Sequence, residues 1–273
     1  MNTHSITFIG GGNMARSLIA GLVRQGTAPA HIHVAEPVAG LRDALSTDFG
    51  VDTYASAAEA AAQGGVWVLA VKPQVMSQVC GDLAGLAAQH APLVVSIAAG
   101  ITSAQLQHWL GAHGAVVRAM PNTPALLGAG VTGLFATPEV SEAQRAQADQ
   151  VLATAGRTVW IDDEARMDAV TAVSGSGPAY VFLLAEAMEA AARAQGLPAD
   201  AAHTLVVQTL LGASRMLDES GEAPAELRRR VTSPNGTTQA AIESFQGDGF
   251  EAIVARAIDA ATARGKALSE KAS

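Results

Sequence analysis

Residues 8–15 read Phe-Ile-Gly-Gly-Gly-Asn-Met-Ala, and this stretch decides the fold. It fits G-x-G-x-x-A, the small-residue variant of the dinucleotide-binding fingerprint, and it lies between an apolar strand pattern and a helical pattern. In that fingerprint Gly10 makes the tight turn, Gly12 lets the backbone approach a pyrophosphate, and Ala15 allows close packing of helix on strand. The stretch therefore predicts a dinucleotide site near the start of the chain.

Short apolar runs alternate with helical patterns over roughly the first 160 residues. Strands are predicted at Ile6–Ile9, His31–Ala35, Val66–Val71, Leu93–Ile97, Val116–Ala119, Val131–Ala136 and Thr158–Ile161. Helices are predicted near residues 13–25, 38–48, 56–63, 75–89, 103–111 and 141–155. This alternation is typical of βαβ units and a mostly parallel sheet.

The composition changes after Asp163, where the chain becomes rich in Ala, Leu, Glu and Gln. Helices are predicted at residues 164–173, 178–195, 199–219, 224–230, 237–246 and 249–270. The predicted fold class is α/β, with an N-terminal Rossmann-like domain over residues 1–162 and an all-helical substrate-binding and dimerisation domain over residues 163–273. The helices from 178 to 219 are apolar over wide faces, which favours burial between subunits as well as within one.

The composition argues against several classes of protein. With 49% hydrophobic and 15% charged residues, the chain is predicted to be globular rather than disordered. A formal net charge of −8, with no basic tract beyond Arg228–Arg230, argues against nucleic-acid binding. The single cysteine, Cys80, suits a reducing cytoplasm, and no apolar run is long enough to predict a membrane span. The spacing of the histidines resembles no metal site, so none is expected.

Residues at the ends of the predicted strands are cofactor-site candidates, because parallel sheets bind ligands outside the carboxyl ends of their strands. Glu36 ends the second strand, where an acid accepts hydrogen bonds from a ribose 2′-hydroxyl and repels a 2′-phosphate. Arg42 follows and could soften that repulsion, so the choice between NADH and NADPH stays open. Lys72 ends the third strand, although a solvated lysine is equally compatible with its position. Similar positions recur at Ala98 and Asn122, and an asparagine can bond to a ligand or to turn backbone.

A second informative stretch, residues 228–238, reads Arg-Arg-Arg-Val-Thr-Ser-Pro-Asn-Gly-Thr-Thr. Pro, Asn and Gly break regular structure, and the amphipathic pattern that follows predicts a helix. A turn of small residues at a helix N-terminus offers unpaired backbone N–H groups and a partial positive charge, which together suit a carboxylate. The alternative interpretation is an ordinary capped helix start.

The reaction is constrained by side chains that the sequence lacks. Between residues 73 and 265 there is no lysine, and the helical half holds one tyrosine, Tyr180, and one histidine, His203. Reduction of a ketone needs a proton donor, most often His, Lys or Tyr. A protonated imine is already electrophilic, so its reduction requires only that the ring be held against the nicotinamide with one hydrogen bond to nitrogen. A threonine can provide that bond.

The chain resembles the pyrroline-5-carboxylate reductase family, which catalyses the last step of proline synthesis. The resemblance runs essentially from end to end and is carried by FIGGGNMA, AVKPQ, VVSIAAGI, RAMPNTPA, DAVTAVSGSGPAY and TSPNGTTQAAIESF. It implies a small-molecule substrate, 1-pyrroline-5-carboxylate, and NADPH or NADH as cofactor. A reductase of a six-membered cyclic imino acid and, less favoured, a non-catalytic dinucleotide-sensing protein remain as alternatives.

The resemblance also implies which residues form the site. In addition to Glu36, the implied cofactor residues are Gly10, Gly12, Asn13, Met14, Ala70, Val71, Lys72, Ala98 and Asn122. The implied substrate residues are Ser233, Asn235, Gly236, Thr237 and Thr238. The substrate carboxylate would be held by Ser233 and the backbone of 235–238, and the Thr238 hydroxyl would bond to the imine nitrogen as the catalytic contact.

Two further implications concern the turn and the assembly. Asn235 departs from the family pattern, in which glycine is more frequent at this position. Because asparagine tolerates left-handed backbone angles, the turn is expected to survive. In the family the helical domain interlocks with that of a partner and completes the cleft, which implies a homodimer, and decamers of five dimers are common.

Overall fold

The computed structural model describes residues 2–111 and 114–271, and the chain divides into two compact units. The first unit contains the chain up to Ser176 together with the residues from Ala260 onward, and the second is Gly177–Asp259. These units are defined by contacts between residues, whereas the predicted boundary at residue 163 marks where a substrate-binding and dimerisation segment begins. That boundary stays a prediction.

Within the described residues, the first unit is built on one eight-stranded sheet. Its strands are β1 (Asn2–Ile9), β2 (Ile32–Ala35), β3 (Asp52–Tyr54), β4 (Gly64–Leu69), β5 (Leu93–Ser96), β6 (Val116–Met120), β7 (Gly130–Ala136) and β8 (Gly156–Trp160). They lie in the order β3-β2-β1-β4-β5-β6-β7-β8. Among these strands β6 and β7 pair antiparallel, and every other neighbouring pair is parallel. The order of the first six is that of a doubly wound nucleotide-binding sheet, so the predicted α/β, Rossmann-like, mostly parallel architecture is confirmed.

Helices surround the sheet and form the second unit. Those of the first unit are α1 (Asn13–Arg24), α2 (Ala39–Phe49), α3 (Ala57–Ala61), α4 (Pro73–His90), α5 (Ser103–Trp109), α6 (Glu142–Leu152) and α7 (Met167–Val170). The second unit contains α8 (Gly177–Ala194), α9 (Ala199–Glu219), α10 (Pro224–Arg230), α11 (Thr237–Gly247) and the start of α12 (Phe250–Lys271). The predicted helical C-terminal half is confirmed.

Side chains alternate between two cores along the central strands, because helices cover both faces of the sheet. Phe8 and Val68 pack into one core, to which α1 and α6 also contribute. Ile9 and Leu69 pack into the other core, with residues of α4 and α5. Burial on both faces explains why these strands are continuous apolar runs in the sequence rather than alternating patterns.

Two parts of the first unit differ from the sequence prediction. β3 was not predicted, because Asp52-Thr53-Tyr54 is a three-residue edge strand without an apolar run. The predicted helix at 164–173 is instead a 3-10 turn (Glu164–Arg166), α7 and a π-helical turn (Thr171–Gly175). The N–H of Ser176 donates to the carbonyl of Thr171 at 2.8 Å, which is the i to i−5 bond of a π-helix.

A buried ion cluster joins three elements of the first unit. Arg118 on β6 is 4% exposed, and its Nη1 lies 3.3 Å from Oε1 of Glu164 while its Nη2 lies 3.6 Å from Oδ1 of Asp168. Glu164 also accepts hydrogen bonds from the backbone N–H and the hydroxyl of Ser103, the first residue of α5. The cluster therefore ties β6 to the start of α5 and to the segment before the π turn.

We expect Arg118→Ala to lower the free energy of unfolding by about 2–4 kcal/mol, because it removes the cation that two partly buried carboxylates share. The matched control is Arg166→Ala, which breaks an exposed pair with Asp163 in the same segment and is expected to cost less than about 1 kcal/mol. Chemical denaturation at one protein concentration measures both. Equal denaturation midpoints for the two variants would contradict this account of the cluster.

Candidate cofactor and substrate sites

The carboxyl ends of β1, β2, β4, β5 and β6 lie at one edge of the sheet, since these strands run parallel. We call this the nucleotide edge. The structure brings all the predicted cofactor residues to it, in the segments that follow these strands: Gly10, Gly12, Asn13, Met14, Glu36, Ala70, Val71, Lys72, Ala98 and Asn122. The position fits a dinucleotide, which binds such sheets outside the carboxyl ends of the strands.

The two outer glycines of the fingerprint are explained by different physical constraints. Gly10 has a φ of 107°, and a Cβ there would lie 2.7 Å from the carbonyl oxygen of Ala70, so the turn itself requires glycine. Gly12 has an ordinary φ of −69°, and a Cβ there would meet nothing within 4 Å. No side chain caps α1 at Gly12, which leaves the first N–H groups of the helix open to an anion. Protein packing gives no reason for glycine at 12, and the open space fits a pyrophosphate.

Glu36 and Lys72, both at the nucleotide edge, differ in how exposed their side chains are. Glu36 is 7% exposed, and its carboxylate accepts hydrogen bonds from the backbone N–H groups of Gly11 at 3.1 Å and Val38 at 3.0 Å. It is therefore held inside the protein rather than free at the surface. Lys72 is exposed at the residue before α4. Its side chain is accessible to solvent and to a ligand. Its role in cofactor binding stays a prediction.

Asn122 bonds to turn backbone, one of the two possibilities left open by the sequence. Its side chain is 9% exposed, with Nδ2 donating to the carbonyl of Ser174 at 3.1 Å and Oδ1 accepting from the N–H of Val131 at 3.0 Å. It joins the loop after β6 to the start of β7 and to the π turn. Because both ends of its side-chain amide are already hydrogen-bonded, Asn122 would contact a cofactor mainly through its backbone.

The predicted substrate residues form a turn at the start of α11. The carbonyl of Ser233 accepts a hydrogen bond from the N–H of Gly236 at 3.1 Å. Pro234 follows Ser233, and Asn235 has a φ of 59°, so the turn has the sequence and the left-handed third residue of a type II turn. Asparagine thus adopts the left-handed conformation expected of it. A Cβ at Gly236 would lie 3.1 Å from the Ser233 oxygen, which favours glycine there.

The backbone N–H groups of this turn are not equally free. The N–H of Asn235 donates to Oε1 of Gln239 at 2.7 Å, and that of Gly236 is used in the turn itself. α11 has no side-chain cap at its N-terminus, so the N–H groups of Thr237 and Thr238 lack helical partners. Of the four backbone groups implied for a carboxylate, these last two are open.

Gln239 was missed from the sequence although it braces the turn. Besides accepting from Asn235, it donates from Nε2 to Oε1 of Glu243 at 2.7 Å. The available signal was a glutamine at the third residue of a helix, the position from which a capping-box side chain reaches back to the preceding backbone. The hydroxyl-bearing residues beside it remain accessible, since Ser233 is exposed and Thr238 is partly exposed.

The second unit leaves wide apolar faces open in the single chain. On α8, Phe182 is 67% exposed and Leu183 is 66% exposed, and Leu205 on α9 is 56% exposed. A cavity of about 620 Å³ lies between helices of this unit, lined by Leu184, Met188, Leu205, Val206, Ile242 and Phe245 among others. These faces agree with the burial between subunits that the sequence predicts.

Other kinds of site receive no support from the described residues. Across residues 2–111 and 114–271, no cluster of three or more His, Cys, Asp or Glu side chains could hold a metal ion. No helix in the described part of the chain is long and apolar enough to cross a membrane. Burial raises the pKa of the Cys80 thiol to about 12, so this cysteine is not an activated nucleophile at neutral pH.

Comparison with known proteins matches both halves of the chain. A family model described as "Pyrroline-5-carboxylate reductase dimerisation" matches residues 164–268, and one described as "NADP oxidoreductase coenzyme F420-dependent" matches residues 5–100. The pyrroline-5-carboxylate reductase of Pseudomonas aeruginosa is 54% identical over 271 residues, covering 99% of both chains.

Two solved structures are similar over nearly the whole length. A pyrroline-5-carboxylate reductase from Coxiella burnetii has a TM-score of 0.95 at 40% identity, covering 98% of this chain and 99% of that one. The Plasmodium falciparum pyrroline carboxylate reductase, solved with NADP bound, has a TM-score of 0.85 at 27% identity with the same coverage.

We expect Gly12→Val to abolish dinucleotide binding while leaving the fold intact. The backbone angles at Gly12 suit valine and its Cβ would touch no protein atom, whereas the branched side chain would fill the space of a pyrophosphate. Titration calorimetry with NADP⁺ and NAD⁺ measures the loss. Gly85→Val, at an exposed position in α4 where a Cβ also has open space, is the matched control and should bind normally. Micromolar binding by folded Gly12→Val would mean that the site is misplaced.

Proposed function

This chain belongs to the pyrroline-5-carboxylate reductase family, and on that basis we propose that it reduces the C=N bond of 1-pyrroline-5-carboxylate to L-proline with NADPH or NADH. It is an oxidoreductase of proline biosynthesis. The observation that carries the proposal is the 54% identity to a pyrroline-5-carboxylate reductase across 99% of both chains. The intact turn before α11 supports it, since a protein that only senses dinucleotides has no need of a substrate turn.

The nucleotide edge would hold the cofactor. Gly10 and Gly12 with the first N–H groups of α1, at Asn13 and Met14, suit the pyrophosphate. Glu36 lies where the adenosine ribose belongs, and Ala70, Val71, Lys72, Ala98 and Asn122 would border the remainder. Bound NADPH or NADH supplies the hydride. The protein's contribution is to hold the dinucleotide in an extended conformation along this edge.

The turn before α11 would bind the substrate carboxylate. The Ser233 hydroxyl and the open N–H groups of Thr237 and Thr238 are donors, and the partial positive charge of an 11-residue helix adds to them. The N–H groups of Asn235 and Gly236 serve instead to shape the turn. The carboxylate thereby fixes the position of the ring to which it is attached, which reduces the entropy lost on reaching the transition state.

Thr238 is the proposed catalytic contact. Its hydroxyl accepts a hydrogen bond from the protonated imine nitrogen, or donates one to the amine product, and so orients the C=N bond. No lysine occurs between residues 73 and 265. None is needed as a proton donor, because hydride addition to an imine that is already protonated gives the amine directly. The chemistry therefore matches the polar side chains that the chain offers.

Ring size and cofactor preference separate this function from its alternatives. A reductase for a six-membered cyclic imino acid would use the same carboxylate site, and a sensor would bind dinucleotide without turnover. Oxidation of NADPH and NADH should be followed with five-membered and six-membered cyclic imino acids. Turnover only with the six-membered ring, or no turnover with either ring, would replace the proposed activity.

We further propose a homodimer formed through the second unit, with α8 and α9 buried against a partner. The exposed apolar faces of these helices and the matched dimerisation domain support it. The larger assembly we propose is a decamer of five such dimers. We also propose a cytoplasmic location, which suits a lone buried thiol.

If Thr238 orients the imine nitrogen, Thr238→Ala should lower kcat/KM by roughly one to two orders of magnitude. Loss of one hydrogen bond to a charged partner is worth about 1.5–3 kcal/mol, at about 1.4 kcal/mol per decade. Cofactor affinity should hardly change, and Thr238→Ser should recover most of the activity. Ser244→Ala removes an exposed hydroxyl further along the same helix and is the control. Wild-type rates for Thr238→Ala would mean that this residue only helps to begin α11 and makes no catalytic contact.

We expect the wild-type chain to be at least a dimer, because isolated apolar faces would exceed a patch of about 600 Å². Phe182→Asp, which places a charge on the exposed face of α8, should shift the mass toward the 27.7 kDa monomer. Light scattering with size-exclusion chromatography measures this. Val75→Asp changes an exposed apolar residue of α4 and should leave the mass unchanged. An active wild-type monomer would count against the dimer.

A further inference from the structure

We propose that Arg42, and not Glu36, is the residue that meets the 2′ substituent of the adenosine ribose, and that it gives the enzyme its affinity for the 2′-phosphate of NADPH. This inference rests on the proposed function, since it needs a dinucleotide at the nucleotide edge. It concerns the choice between two cofactors that the sequence left open.

Each carboxylate oxygen of Glu36 accepts one hydrogen bond from the protein's own backbone. Oε2 accepts from the N–H of Gly11 at 3.1 Å and Oε1 accepts from the N–H of Val38 at 3.0 Å. The residue is 7% exposed. A carboxylate solvated in this way by two amides has its charge already partly satisfied, so it is a weaker acceptor for a ribose hydroxyl and a weaker source of repulsion for a phosphate.

The contact with Gly11 makes Glu36 a brace for the glycine turn. A Cβ added at Gly11 would come within 2.6 Å of Cδ1 of Leu45 and within 3.3 Å of the Glu36 side chain. The middle of the turn is therefore packed tightly against Glu36 and α2. Because every dinucleotide uses this turn for its pyrophosphate, loss of the brace should weaken NAD⁺ and NADP⁺ binding alike.

Arg42, unlike Glu36, keeps free hydrogen-bond donors at the end of β2. Its Nη1 donates to the carbonyls of Glu36 at 2.8 Å and Pro37 at 2.9 Å, which are the two residues directly after β2. The guanidinium is thereby anchored at the end of β2, where the adenosine ribose lies in this fold. Within the part of the chain that the structure describes, no hydrogen bond occupies Nη2 or Nε of Arg42.

A guanidinium fixed by one nitrogen and open at the others suits a phosphate. Its remaining N–H groups lie in one plane and can donate in pairs to phosphate oxygens. Anchoring by two backbone carbonyls also reduces the side-chain entropy that binding would otherwise cost. The positive charge is held at the backbone carbonyls of Glu36 and Pro37, where it attracts a 2′-phosphate and opposes the repulsion from the Glu36 carboxylate.

Titration calorimetry with NADP⁺ and NAD⁺ tests the assignment without relying on turnover. Arg42→Ala should weaken NADP⁺ binding by about 10- to 100-fold, the loss of charge-assisted hydrogen bonds, and change NAD⁺ binding by less than about threefold. Glu36→Gln should weaken both nucleotides by similar factors and leave their ratio nearly unchanged. The control is Arg24→Ala, which removes the same charge at the far end of α1 and should alter neither affinity.

Several outcomes would overturn the inference while the proposed function stands. One is an unchanged ratio of NADP⁺ to NAD⁺ affinity in Arg42→Ala, with both nucleotides still bound. Another is a large change of that ratio in Glu36→Gln, which would return the discriminating role to the carboxylate. A similar loss in Arg24→Ala would reduce the effect to overall charge. Failure of the wild-type chain to bind either nucleotide would overturn the dinucleotide site and this inference together.

Discussion

The close approach between the turn after β1 and the end of β4 is the constraint on which the nucleotide edge depends. The carbonyl oxygen of Ala70 lies 2.7 Å from where a Cβ of Gly10 would be, so only glycine lets these two strand ends meet. The N–H of Gly10 also donates to the carbonyl of Ala35 at 2.8 Å, which joins the same turn to β2. This turn joins the ends of β1, β2 and β4. It thereby positions the Glu36 brace, the open N-terminus of α1 and the anchored Arg42.

The features that could be predicted from sequence are those that local chemistry fixes. Strands buried on both faces are mostly apolar, so β1, β4, β5 and β6 are recognisable as apolar runs. The fingerprint glycines predict the turn before α1 because their spacing is local in the sequence, although the steric reason for Gly10 is the distant carbonyl of Ala70. Asn235 belongs to the same class, since its left-handed angle follows from the turn sequence alone.

What could not be predicted depends on partners distant in the sequence. The two hydrogen bonds of Asn122 reach 9 and 52 residues along the chain, and no local pattern distinguishes them from ligand contacts. Glu36 was placed correctly at the end of β2, but the inward direction of its carboxylate depends on Gly11, 25 residues earlier. β3 exists only because β2 offers it an edge, and its own three residues carry little strand signal.

The sparse interior of the second unit has a consequence for how this protein responds to dilution and to mutation. In the single chain its buried side chains are Ala202, Val206 and Leu227, too few to offset the chain entropy lost by several helices. Folding of this unit is then linked to association by mass action, so its melting temperature should rise with the amount of protein present. A substitution on the exposed apolar faces of this unit would therefore lower its thermal stability and shorten the lifetime of the polypeptide.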